Sequence, residues 1–157
     1  MESNNKMLYI IGGVIILIAL VIGCKFVLKG NALLDKTNLE YELIKQGKST
    51  SDSEIIRKFA EELHSGNISK AKEYLANDCV IYDENSNKCS FEEYMSKIDT
   101  STSYKYEKRG NSIKDEATYK ISWNDGTEIQ TIIMKKVVSK ERVYYEIVEC
   151  VLTINRS

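Results

Sequence analysis

The sequence predicts an α+β fold: an amino-terminal transmembrane helix, then a domain in which short helices are followed by antiparallel strands. Three observations carry that fold class. An 18-residue stretch without a charge, "MLYIIGGVIILIALVIGC", runs from Met7 to Cys24. From Ser51 to Asp99, apolar residues recur at helical spacing behind two Ser-x-x-Glu starts, and beyond Asp99 the period changes to two. The 157 residues hold one domain of ordinary size plus an appendage. We divide them into a tail (1–6), a transmembrane helix or lipoprotein signal (7–28), a juxtamembrane stalk and linker (29–50) and the α+β domain (51–155).

The amino-terminal run is long enough to cross a bilayer. At about 1.5 Å per residue, its 18 uncharged residues make about 27 Å of helix, and the 22 residues to Leu28 make about 33 Å, against a hydrocarbon core of about 30 Å. It is apolar on all sides, whereas a core helix of a soluble domain needs only one apolar stripe. Two membrane readings compete. In one, "VIGC" (Val21 to Cys24) is similar to the lipobox of bacterial lipoproteins, which makes Cys24 a candidate lipidation site. In the other, the run is an uncleaved signal anchor and Lys25 snorkels to the interface. The anchor is favoured because "KFVL" continues the apolar helix where a lipoprotein turns polar, and because "MESNNK" is only weakly basic. Lys25, Lys29 and Lys36 pull the carboxy-terminal domain towards the cytoplasm, but a very short tail before a single span usually exports the domain behind it, and we expect an extracytoplasmic domain. Ala19 and Gly23 form a small-xxx-small pair, a spacing too common to carry weight.

Beyond the span, Leu33, Leu34, Leu39, Leu43 and Ile44 mark a loose helix that runs into the polar "QGKST". Ser51 and Glu54 form a capping box for a first domain helix with Ile55, Ile56, Phe59 and Leu63 on one face, stopped by Ser65-Gly66. Asn67 caps a second helix carrying Ile68, Ala71 and Leu75, expected to end at Asn77-Asp78. "CVIYD" (79–83) reads as a short strand, and "ENSN" as the turn that closes it. Ser90 and Glu93 then open a helix with Phe91, Tyr94, Met95 and Ile98. Tyr104 and Tyr106 alternate with polar residues, as do Ala117, Tyr119, Ile121 and Trp123 before the hairpin turn "NDG". "TEIQTIIMKKVV" and "RVYYEIVECVLTI" are long β-branched strands joined by "SKE".

A net charge of −1 supplies no basic field for a phosphate backbone, which sets nucleic acid aside as a partner. The absence of proline, with many Lys, Asn, Ile and Ser, is the composition of an AT-rich bacterial genome. Cys79, Cys89 and Cys150 lack the close paired spacing of a zinc site, so no metal is expected. Cys79 and Cys150 both fall in predicted strands and are the candidate disulfide; the alternative is that all three cysteines are small apolar fillers. "NIS" and "NRS" match the glycosylation acceptor pattern, which recurs by chance.

The order helix, helix, strand, helix, long strands over residues 52–154, and above all "FAEELHSGNISKAKEYLANDCVIYD" (59–83), resembles the nuclear transport factor 2-like superfamily. The resemblance implies a cystatin-like cone, in which a strongly curved antiparallel sheet wraps the helices around a pocket. Tyr82, Tyr94, Tyr119 and Trp123 are then the candidate lining, with Asp83 or Asp115 as acid or base, because desolvation in such a pocket moves a carboxyl towards neutrality. Plainer roles compete: aromatics fill cores, Asp83 ends a strand, Asp115 marks a bulge, and the lone His64 sits at a helix end. Superfamily members include isomerases, cyclases, dehydratases, ligand binders, lipoproteins and assembly factors of conjugative secretion systems, and fold does not choose among them. With no catalytic set in view, we expect a cofactor-free, membrane-anchored bacterial envelope protein. Its domain acts as a binding module for a protein partner or a small apolar ligand, with homo-oligomers allowed. An assembly component of a secretion or conjugation apparatus, and a small isomerase-like or hydrolase-like enzyme using Asp83 or Asp115, are the alternatives.

Overall fold

The computed structural model describes residues 30, 32–110 and 115–155. The candidate span over 7–28, Cys24 with it, lies outside the described residues; among them no helix is long and apolar enough to cross a membrane. The elements are α1 (32–45), α2 (Asp52–His64), α3 (Ile68–Lys72), β1 (Leu75–Tyr82), α4 (Phe91–Met95), β2 (Tyr104–Arg109), β3 (Glu116–Trp123), β4 (Glu128–Val138) and β5 (Val143–Ile154).

The helix starts agree closely with the sequence. Ser51 Oγ accepts the Glu54 amide at 3.2 Å, but the Glu54 carboxylate turns to Lys58 instead of closing a capping box. At Ser90 the box is complete: Ser90 Oγ accepts from the Glu93 amide and Glu93 Oε2 accepts from the Ser90 amide. Asn67 makes no such cap; its side-chain amide donates to Glu62 Oε2. The end of α2 is a Schellman turn, with Asn67 N–H on the Glu62 carbonyl, Gly66 N–H on the Leu63 carbonyl, and Gly66 at φ +73°.

α3 stops at Lys72, short of the expected Asn77-Asp78, and β1 starts at Leu75 instead of Cys79. The cause is tertiary: the Tyr74 carbonyl accepts from the Ile147 amide and Leu75 pairs with Ile147, so β5 draws into the sheet a segment whose own apolar spacing suits a helix.

The five strands lie in the order β1-β5-β4-β3-β2. β2, β3, β4 and β5 are antiparallel neighbours, joined in sequence by turns or short loops, but β1 pairs with β5 in parallel. The expected all-antiparallel sheet is therefore mixed. β1 and β5 are separated by most of the domain, so no hairpin fixes their relative direction. The sheet is curved, and a bulge at Val148 lets Ile147 and Cys150, three apart, both face the core. In β3, Ala117, Tyr119, Ile121 and Trp123 are buried in strict alternation. They meet Ile55, Ile56, Phe59, Ala60 and Leu63 of α2 and Phe91, Tyr94 and Met95 of α4 in one core. Each large apolar side chain so buried contributes about 1.5–3 kcal/mol.

The segment read as stalk and linker docks at its carboxy-terminal end. Leu43 is buried, and the Val143 amide and carbonyl bond the Lys48 carbonyl and the Thr50 amide, extending the line of β1 along β5.

Candidate functional site

Inside the curve of the sheet, the candidate lining residues are core. Trp123 and Tyr94 are fully buried and Tyr119 nearly so. The Trp123 indole donates to Gln130 Oε1 at 2.9 Å, and the Gln130 amide reaches Met95 Sδ at 3.9 Å. Gln130, which sequence reasoning passed over inside a β-branched strand, is the one fully buried polar side chain of that strand. The Tyr94 hydroxyl lies by Gln130 yet makes no hydrogen bond of ordinary geometry, and burial raises its pKa well above the usual phenol range. Tyr82 lies half-buried at the end of β1.

Asp83 closes the turn after β1. Its Oδ1 accepts from the Asn85 amide at 3.0 Å and the Asn87 amide at 2.8 Å, and its Oδ2 accepts from Lys97 at 3.2 Å. Lys97 also holds Glu84 at 2.7 Å. The hydrogen bond from Asn87, aided by Lys97 and the Asn85 amide, keeps the Asp83 pKa below the usual carboxylate value despite its burial. A general base near neutrality needs the opposite shift.

Asp115 sits at φ +72° just before β3, where its carbonyl accepts the Lys136 amide and its carboxylate pairs with Lys136. Lys136 pairs with Glu40 of α1 as well, at 2.7 Å. Burial opposes the charge on Lys136, but the Asp115 and Glu40 carboxylates together outweigh it and push its pKa up to about 12.

Beside this triad lies a cluster that no local pattern revealed. Asp52, the first residue of α2, pairs with Lys108 of β2 at 2.5 Å, and the Lys108 ammonium stands 5.9 Å from the Tyr119 ring centroid. Burial first, then the Asp52 carboxylate, raises the Tyr119 pKa to about 12. Tyr145 shifts up in the same field, again chiefly through burial. Asp52 reads in sequence only as a first-turn acid; its partner is 56 residues away. Asp52 and Lys108 thus form one ion pair, while Lys136 is held between the two carboxylates of Asp115 and Glu40. His64 ends α2, where its Nδ1–H donates to the Thr100 carbonyl at 3.0 Å and its ring lies against Tyr104.

The cysteines gather at the other flank. Cys79 and Cys150, the candidate disulfide, are free thiols in the structure, on adjacent strands and close enough to hydrogen-bond. That bond lowers the Cys79 pKa and, with burial, raises that of Cys150. Cys79 and Cys89 border an open groove of about 380 Å³ with Leu75, Ile81 and Phe91. A second groove, of about 570 Å³, runs along β2 and β3 between Tyr104, Tyr106, Lys120 and Ser122. Among the described residues no cluster of His, Cys, Asp and Glu could hold a metal ion.

No protein-family model and no curated protein matches the sequence. Solved structures do match in shape. An NTF2-like protein of unknown function in nutrient uptake from Rhodospirillum rubrum superposes with a TM-score of 0.51 at 10% identity, over 68% of this chain and 100% of that one. An NTF2-like protein of unknown function from Cytophaga hutchinsonii gives a TM-score of 0.40 at 17% identity, over 67% and 90% of the two chains. A de novo designed protein with a curved β-sheet gives 0.43 at 21% identity, over 62% and 94%. At 10% identity the likeness to the Rhodospirillum rubrum protein speaks for fold alone. Helices packed in a curved five-stranded sheet, with the Rhodospirillum rubrum protein as match, give this chain a nuclear transport factor 2-like fold.

Proposed function

We propose that this is a single-pass, membrane-anchored bacterial envelope protein whose α+β domain lies outside the cytoplasm and acts as a non-catalytic module for binding another protein. The observation that carries the binding half is the filled interior. Trp123 and Tyr94, the candidate pocket lining, are fully buried and packed with Gln130 in the core, which favours a partner met at the surface over a small apolar ligand taken inside. The anchoring half rests on the uncharged run from Met7 to Cys24. Against the isomerase-like or hydrolase-like reading stand Asp83, held ionised by three hydrogen bonds, and Asp115, paired with Lys136.

A chromosomal Asp83→Asn/Asp115→Asn variant tests this in the native host. We expect its phenotype to match the parent once the protein is shown to fold; loss of phenotype with the fold intact would instead support the enzyme. Protease protection in spheroplasts reads the orientation, and a protected domain would refute the extracytoplasmic placement. Purification from membranes separates a free-standing module from a component of a secretion or conjugation apparatus, which would emerge bound to a large complex.

A further inference from the structure

α1 has two apolar faces, and the domain uses only one. Leu43 turns inwards, on the side where Lys136 bonds Glu40 and Val143 bonds Lys48. Around the helix from it, Leu33, Leu34, Tyr41 and Ile44 are 64%, 62%, 65% and 50% exposed, too much apolar surface on one short helix to be incidental. Leu34, Thr37, Tyr41 and Ile44 succeed one another at steps of three, four and three, the seam spacing of a two-stranded coiled coil. The Thr37 hydroxyl donates to the Leu33 carbonyl at 2.9 Å, so this seam position brings no unmet polar group.

We infer that this face pairs in parallel with the same face of a second copy of the chain. The flanking charges favour that occupant. Seam positions at Leu34 and Tyr41 put Glu40 and Lys45 on opposite shoulders, where a parallel pair sets Glu40 against Lys45 of the other copy. Lys136 takes Glu40 Oε1, which leaves Oε2 for that contact. An antiparallel pair would set Glu40 against Glu40 and Lys45 against Lys45. A lipid surface fits less well: over 32–48, Asp35, Glu40 and Glu42 cancel Lys36, Lys45 and Lys48, so the helix carries no basic excess for anionic headgroups. The pairing rests on the anchored reading proposed above. Two copies held by the apolar run enter α1 side by side in the same direction, and this shared tether raises the effective concentration of a seam too short to be stable alone.

The test uses the full chain in native membranes, with a photoreactive benzophenone side chain in place of Thr37, Ile44 or Glu42. We expect at least tenfold more dimer-sized product from positions 37 and 44 than from 42, with adducts from position 37 mapping to residues 33–41 of the second copy. Leu34→Glu/Ile44→Glu should abolish the product from position 37 while the circular dichroism of the domain is unchanged. Equal yields at the three positions, adducts near Lys48, or adducts only to lipid or to another protein would overturn the proposal. Carbonate washing of the same membranes keeps the two readings apart. A chain that stays in the membrane without dimer product refutes the pairing alone. A chain that washes out refutes the anchor, and the pairing then stands or falls on the same cross-links in the soluble fraction.

Discussion

Gln130 accepts from the Trp123 indole at 2.9 Å with both side chains wholly out of water, and a buried donor left without its acceptor costs far more than one bond's net worth. Gln130→Leu preserves volume but strands the indole N–H, and should lower stability by about 1–3 kcal/mol, read from the urea midpoint. Tyr94→Phe removes a hydroxyl that makes no hydrogen bond of ordinary geometry and should leave the midpoint unchanged or raise it. Asp83 makes a pH-dependent contribution of definite sign. Its pKa is lower folded than unfolded, so its stabilisation is present above the ordinary carboxylate pKa of about 4 and is lost as pH falls through the depressed value. The deficit in Tm of Asp83→Asn should therefore be largest near neutrality and shrink towards pH 2; a deficit independent of pH would mean that the turn, and not the charge, is at stake.

At the scale of elements, local punctuation and long-range pairing divide the work. Gly66 ends α2 at φ +73°, and a Cβ there would meet nothing within 4 Å. The cost of Gly66→Ala is then purely conformational, about 1–2 kcal/mol, and should appear as a lower thermal midpoint with no change in the core's near-ultraviolet spectrum. The hairpin turn at Asn124–Gly126 uses three successive residues at positive φ, a conformation that Asn, Asp and Gly tolerate. At α3 local preference loses. A five-residue helix has little cooperativity of its own, and pairing with β5 takes over from Leu75 onwards.

For the whole molecule, anchoring and folding are separable. Among the described residues the main hydrophobic cluster starts at Ile55, with Leu43 of α1 the one buried apolar side chain before it, so changes at the apolar run over 7–28 should leave that core untouched. Cys24→Ser should leave the protein in carbonate-washed membranes if the run is a spanning anchor, and should release or mislocalise it if Cys24 carries lipid. Intact mass of the parent checks the same point, because a diacylglyceryl adduct adds mass and cleavage at Cys24 removes the preceding residues. A released Cys24→Ser protein would displace the signal anchor in favour of the lipoprotein.

The sequence by itself determined the element types, the Ser51 and Ser90 starts, the stop at Gly66, the alternation of β3 and the hairpin turn, because each depends on residues within one or two turns of each other. Only the tertiary structure decided the parallel pairing of β1 with β5, the early end of α3, and the filling of the interior by Trp123, Tyr94 and Gln130. It also decided the fate of the candidate acids. Whether Asp83 or Asp115 faces a pocket or an ammonium depends on Lys97 and Lys136, 14 and 21 positions away, and Asp52 finds Lys108 across 56. Charge pairing at such separations arises from how the sheet brings its strands together, which no local spacing of residues encodes.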